Sequence, residues 1–268
     1  MNSQFDVFKR FTPEIEPDGE DEVVLDVAGF IGADDGFWFS AKSSFQDTAG
    51  TIPALSGTPV AFASDLSGKG FNLVQDVQSK KPLLGVDTDG AKFILVDAVD
   101  DALQSTVNFP LKTGSTFMAV VSAAKYGGSW YPFAAVDGAN DYLRAYIRRQ
   151  PTPDYRVSAA LRFGGGFVSA QVVPTNGFVY LQKILVVIDV GTTSLTIRQD
   201  ESEVLTKTTA HSYGTTTTTD SCKVTLGSVS VQDSGSIRIY NMMMVNRTLT
   251  VEERATAIAE LKRDAKMA

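Results

Sequence analysis

From about Phe30 onward, apolar residues return at every second position in short runs, and clusters of Gly, Pro, Asn and Asp cut those runs apart. Tyr142, Arg144, Tyr146 and Arg148 alternate with Leu143, Ala145 and Ile147. That is the period of two of a half-buried strand, whose successive side chains leave opposite faces. Similar runs cover 116–123, 131–136, 156–163, 167–173, 195–198 and 236–245. Turn residues separate them at 127–128, 137–141, 164–166, 174–177 and 189–191. Strands recurring every 8–12 residues or so signify an antiparallel sandwich or barrel. The runs 117–121 and 184–188 are apolar on both faces, so they must be covered on both sides, as central strands of two packed sheets are.

Only one segment carries the spacing of a helix. In 249–266, Thr250 and Glu253 form a Thr-x-x-Glu capping box, and Ala255, Ile258 and Leu261 share one face. The reading is therefore an all-β, two-sheet antiparallel jelly roll over 30–268, ending in a helix at 250–265. Ahead of it, residues 1–29 read as an extended arm. Residues 12–22 hold Glu14, Glu16, Asp18, Glu20, Asp21 and Glu22, broken by Pro13, Pro17 and Gly19, with only Ile15 to bury. Such a stretch cannot offset its ordering entropy by itself. Either the arm lies pinned on its own domain or it attaches to another protein, and Phe5, Phe8, Phe11 and Ile15 are the apolar residues through which it would attach.

Composition excludes more than it suggests. With 268 residues and a 43% hydrophobic share, the chain can bury a substantial core. Its single Cys and single His exclude a disulfide framework, a Cys and His zinc cage and a CxxC redox site. The formal net charge of −7 repels phosphate backbones and anionic lipid, so neither nucleic acid nor a membrane is the expected partner. The first seventeen residues lack the apolar run of a signal peptide, and no apolar stretch is long enough to span a bilayer.

Four segments, in order, resemble the concanavalin A-like or laminin-G-like jelly rolls of bacteriophage virion proteins. Residues 36–40 (GFWFS) followed by 44–51 (SFQDTAGT) look like their opening strand and turn. Residues 65–72 (DLSGKGFN) resemble their D-x-S-G-x-G-x-N turn, and 186–197 their paired strands about a hairpin. Residues 237–240, then 247–253 (RTLTVEE), look like the closing strand, an R-x-L-[ST]-x-x-E turn and the last helix. The resemblance implies a two-sheet jelly roll and a place on a virion, in many copies or as a homo-oligomer. The protein would be made in the host cytoplasm. Its function would be decoration or adhesion to host-surface glycan, with a purely structural cement protein of the head or tail as the alternative. Jelly-roll glycoside hydrolases carry alternating carboxylates on one strand. Here the acidic strings 14–22 and 200–203 do not place three carboxylates on one strand face. The expectation is a protein without catalysis, and a polysaccharide depolymerase is the competing class.

The remaining candidates each have a plain reading beside a functional one. His211, followed by Ser212, is the only imidazole base, set in a polar loop without a visible triad. Asp97, Asp100 and Asp101 are calcium candidates, or one half of an acid–base pair with the Asp34–Asp35 or Asp87–Asp89 acids, or solvated loop acids. No other metal site or cofactor is expected. The 68–70 GKG lacks the hydroxyl residue of a phosphate loop and reads as a turn. Met242, Met243 and Met244 fill both faces of a strand, and Cys222 reads as a buried, inert thiol. The glycan candidates are Trp130, Tyr131, Tyr142, Arg144, Tyr146 and Arg148. Aromatic faces stack on sugar rings and Arg bonds hydroxyls or carboxylates. The plain reading is an outer strand face where Arg lies over Tyr, or an oligomer contact.

Overall fold

The computed structural model describes residues 26–96, 101–125, 130–139, 141–149, 155–173, 181–203, 205–216, 222–227 and 236–268. Helix α1 (Val27–Ala33) comes first. The strands follow in chain order: β1 (Phe37–Phe45), β2 (Phe62–Asp65), β3 (Leu73–Val74), β4 (Leu83–Val86), β5 (Lys92–Val96) and β6 (Ala102–Ser105). Next are β7 (Ser115–Lys125), β8 (Trp130–Asp137), β9 (Tyr142–Arg149), β10 (Tyr155–Phe163) and β11 (Gly166–Val172). The last are β12 (Ile184–Val190), β13 (Ser194–Gln199), β14 (Thr206–Ala210), β15 (Lys223–Gly227) and β16 (Ser236–Val245), before helix α2 (Val251–Asp264). The predicted strands all form, and the expected all-β sandwich is what the chain adopts.

Hydrogen bonding follows one path, β11-β10-β9-β8-β15-β6-β3-β2-β1-β16-β7-β12-β13-β14, with β5 on a free stretch of β16 and β4 on β5. The path doubles back, so that β11 lies against β13 and β14. A back sheet (β11 to β2) thereby faces a front sheet (β16 to β14). Strand β1 belongs to both: Phe37–Ser40 pair with β16, while Phe39 and, past a register shift, Ser44 and Phe45 pair with β2. Such a shift is how one strand turns a corner between sheets.

Two cores result. Between the sheets lie Phe37, Phe39, Phe109, Phe117, Phe133, Leu143, Leu161, Val186, Ile188 and Ile197 among others. Burying a Phe or Leu side chain contributes about 1.5–3 kcal/mol. On the outer side of the front sheet, α1 and α2 cover Met118, Val120, Leu185, Val187, Tyr240 and Met243. This second layer explains the runs that are apolar on both faces. Phe117, Ala119 and Val121 face the sandwich core, whereas Met118 and Val120 sit beneath helices rather than beneath another sheet. The three methionines divide in the same way, Met242 and Met244 inward and Met243 outward.

Three expectations are corrected. Residues 27–33 are helical, so the extended arm cannot run to 29; residues 1–25, with Phe5, Phe8, Phe11 and Ile15, lie outside the described residues. In α2 the buried residues are Ala257, Leu261 and Asp264, with Ile258 partly covered, and Ala255 is exposed. The helix is rotated to bring Asp264 to Ser40, whose Oγ donates to Asp264 Oδ2 at 2.6 Å, and to Asn241, whose Nδ2 donates to the same oxygen at 3.2 Å. Finally, β8 and β16 do not alternate throughout. The pairing of β16 with β7 shifts between Ile239 and Asn241, and that of β8 with β9 between Pro132 and Ala134. Each shift inverts the inward parity of the residues beyond it.

The segments that carried the family resemblance are closed by side chains. Asp65 Oδ1 accepts from the backbone N–H of Trp38 (3.1 Å) and Ser67 (3.0 Å), and Oδ2 accepts from Phe71 N–H (3.0 Å) and Ser67 Oγ (2.8 Å). Gly68 and Gly70 take positive φ (77° and 80°), the left-handed turn geometry that L residues disfavour. This is the plain turn expected of 68–70. Asp47 closes the first turn, accepting from Thr51 and Ile52 N–H and from Thr51 Oγ1. These hydrogen bonds, with that to Thr51 first, hold its carboxyl below the ordinary range. Arg247 joins both helices, binding Asp34 beyond α1 through Nε (2.6 Å) and Glu253 of α2 through both terminal nitrogens (2.6 Å each). The predicted capping box of Thr250 and Glu253 is present.

Candidate functional site

The two outer faces of the sandwich differ. Both helices pack on the front sheet, against β1, β16 and β7, and neither lies on the back sheet. On β8 to β11 the outward positions are therefore set by register alone. Tyr142 and Arg144 of β9 stand opposite Asp137 and Ala135 of β8, and opposite Arg162 and Ala160 of β10. Arg162 in turn pairs with Phe167 of β11, and Asp137 with Lys223 of β15. One row across four strands and into a fifth thus reads Phe167, Arg162, Tyr142, Asp137, Lys223. Neighbouring positions in it are about 5 Å apart.

The sequence candidates distribute unevenly over this face. Tyr142 is half-buried and Arg144 is exposed, while Tyr146 is 6% exposed and offers no open aromatic surface. Its neighbour in register, Ser158, is fully buried, and the Ser158 hydroxyl has no hydrogen-bond partner. Trp130 and Arg148 are register partners, which confirms that β8 and β9 are adjacent. Tyr131 pairs in register with Ile147. Arg144 is already engaged. Its Nε lies 3.0 Å from both oxygens of Asp137, and its guanidinium carbon stands 4.2 Å from the centre of the Tyr142 ring. That is the arginine-over-tyrosine contact of the plain reading, worth about 0.5–1 kcal/mol at an exposed site.

Two residues that sequence reading did not single out complete the face. Phe167 is 63% exposed. Arg162 is half-buried, and its guanidinium has no hydrogen-bond or ion-pair partner among the described residues. Their strands were legible, and so was the even parity that Arg162 shares with Arg156; the cross-strand register beside Tyr142 was not. Tyr213 packs on the inner side of the same hairpin, the side of Phe163. A Cβ at Gly166 would collide with its ring, and the ring packs edge-on against Phe163 at 5.7 Å. Burial pushes the Tyr213 phenol up, nearby Tyr142 adds to that shift, and the Arg162 charge opposes it.

The other candidates are placed as follows. His211 is a half-buried residue just past β14 and not a solvated loop histidine. Its ring stacks on Tyr213 at 4.5 Å, and its Nδ1 accepts from Tyr213 N–H at 3.3 Å. Nε2 is buried close to the Ser194 and Gly191 carbonyls without a well-formed hydrogen bond, and burial lowers the imidazole pKa. Asp97 and Asp100 lie outside the described residues. Asp101 is only 4% exposed, inside the fold and not on a solvated rim. Asp34 binds Arg247, Asp87 binds Arg238 and Tyr240, and Asp89 binds Lys183 at 2.5 Å. Among the described residues no group of three or more His, Cys, Asp or Glu is placed to hold a metal ion. No helix of the described residues is long and apolar enough to cross a membrane. Cys222 is fully buried beside Phe109 at a lone bridge between strands.

Fold and face together define a two-sheet antiparallel β-sandwich, helix-covered on one side and carrying arginine and aromatic residues on the other. No protein-family model and no curated protein matches the sequence. Solved binding domains do match the fold. The binding domain of Paraclostridial Mosquitocidal Protein 1 superposes with a TM-score of 0.54 at 13% identity, over 74% of this chain and 48% of that one. The botulinum neurotoxin serotype D ligand-binding domain, solved with N-acetylneuraminic acid, gives 0.55 at 9% identity over 88% and 52%. The receptor-binding domain of the botulinum neurotoxin C/D mosaic serotype gives 0.55 at 12% over 86% and 52%. The chain spans about half the length of these domains, and identity this low shows the fold alone.

Proposed function

We propose that the chain is a non-enzymatic glycan-binding module displayed on a bacteriophage particle, held there through the acidic segment before α1. The observation that carries the glycan reading is the row of Phe167, Arg162 and Tyr142 on the outer face of β9 to β11, on which no helix of the described residues packs. That face keeps an aromatic side chain, Phe167, largely in solvent while the opposite outer face is sealed by helices. The similarity to domains named for ligand and receptor binding supports the same reading, as does the likeness of 36–51, 65–72, 186–197 and 237–253 to virion jelly rolls. Weak single sites would gain avidity from many copies on one particle.

The test is an array of capsule and lipopolysaccharide fragments probed with multivalent wild type and with Phe167→Ser, a surface change that leaves both cores intact. Selective binding that falls in the variant supports the module. Absence of binding to every glycan would leave a structural cement protein. The virion placement is tested separately: removing residues 1–25 should abolish incorporation into particles while thermal melting is retained.

A further inference from the structure

The chain is acidic overall, yet its charge is not evenly spread. Residues 142–163 contain Arg144, Arg148, Arg149, Arg156 and Arg162 against the single carboxylate of Asp154. Arg148 and Arg156 are direct register partners. Arg144 already has its carboxylate in Asp137. Arg162 has none among the described residues. It lies in register between Phe167 and Tyr142, and the Tyr142 hydroxyl has no hydrogen-bond partner among the described residues. A planar guanidinium and a phenol donor beside an exposed ring form a receptor for a planar anion attached to an apolar face.

We infer that this corner selects acidic glycans, with Arg162 pairing with the carboxylate of a sugar acid while Phe167 supports the ring and the Tyr142 hydroxyl donates to one of its remaining oxygens. This rests on the glycan reading above and names its ligand class. A sugar acid fits better than a nucleic acid. The net charge of −7 opposes a chain with one phosphate per residue, whereas a saccharide brings fewer charges and an apolar ring face.

The experiment prints each acidic capsule fragment beside its methyl-esterified twin, which keeps the sugar and removes the charge. Wild type, Arg162→Gln and Arg162→Lys are compared, each first checked for unchanged thermal melting. Wild type should prefer the acid form about ten-fold or more. Arg162→Gln should lose that preference while keeping binding to the ester, and Arg162→Lys should retain part of it. Equal binding of acid and ester by wild type, or a preference that survives in Arg162→Gln, overturns the inference and leaves the glycan reading standing. Displacement of the acid glycan by a single-stranded oligonucleotide of equal charge also overturns it, since that marks a general polyanion patch. Binding to no glycan in either form defeats the reading and the inference together.

Discussion

Glu253 shows how much one side chain can organise. It caps α2 and forms two hydrogen bonds with Arg247, which also holds Asp34 beyond the other helix. Those contacts, Arg247 first, hold its pKa at about 2 against an ordinary 4.5. A carboxyl depressed on folding stabilises the protein fully above its unfolded pKa and loses that contribution as pH falls through the folded value. Glu253→Gln should therefore be less stable than wild type by about 1–2 kcal/mol at neutral pH. The gap in denaturation midpoints should close between 4.5 and about 2. A gap independent of pH would assign the role to packing instead of charge. Capping was readable in the sequence because its partners lie three residues apart. The bond to Asp34 was not, because its partner is 213 positions away.

At the scale of elements, strand identity was legible and strand side was only partly so. Alternation located β7, β10, β13 and β16, since a period of two is a local property. The inversion at Tyr240 left no local trace. Tyr240 and Asn241 both face α2, so the inward residues change from Ile237 and Ile239 to Met242 and Met244. The shift between Pro132 and Ala134 in β8 was equally invisible in the local alternation. Helix α1 was missed because seven residues are too few to show a period of 3.6 and no side chain caps it. Because α2 covers a second core, Leu261→Ala should cost about 2–5 kcal/mol, as a deletion in the sandwich interior does. Urea denaturation measures it. A loss below 1 kcal/mol or so, the level of a surface change, would show that the helix rests on the sheet without sealing it.

Across the whole molecule, the candidate face depends on which strands become neighbours, and that information is nonlocal. The motif around Tyr142 and Arg144 was visible as an alternation, whereas Phe167 and Arg162 joined it only once β9, β10 and β11 were in register. The sole thiol offers a probe of the assembled core. Cys222 is fully buried, so a thiol reagent should modify it on the order of 10³-fold or more slower than in unfolded chain, and in step with global unfolding. Rapid labelling under native conditions would reveal an independent opening around β15. Strand β1, shared by the two sheets and bonded along both edges, has a mechanical consequence. Tension applied to the chain just ahead of α1 reaches β1 before any other strand of the described residues. Withdrawing β1 along its axis requires its bonds to β16 and β2 to fail together in shear, not to peel apart one by one. A domain hung by that end would resist pulling along two seams at once.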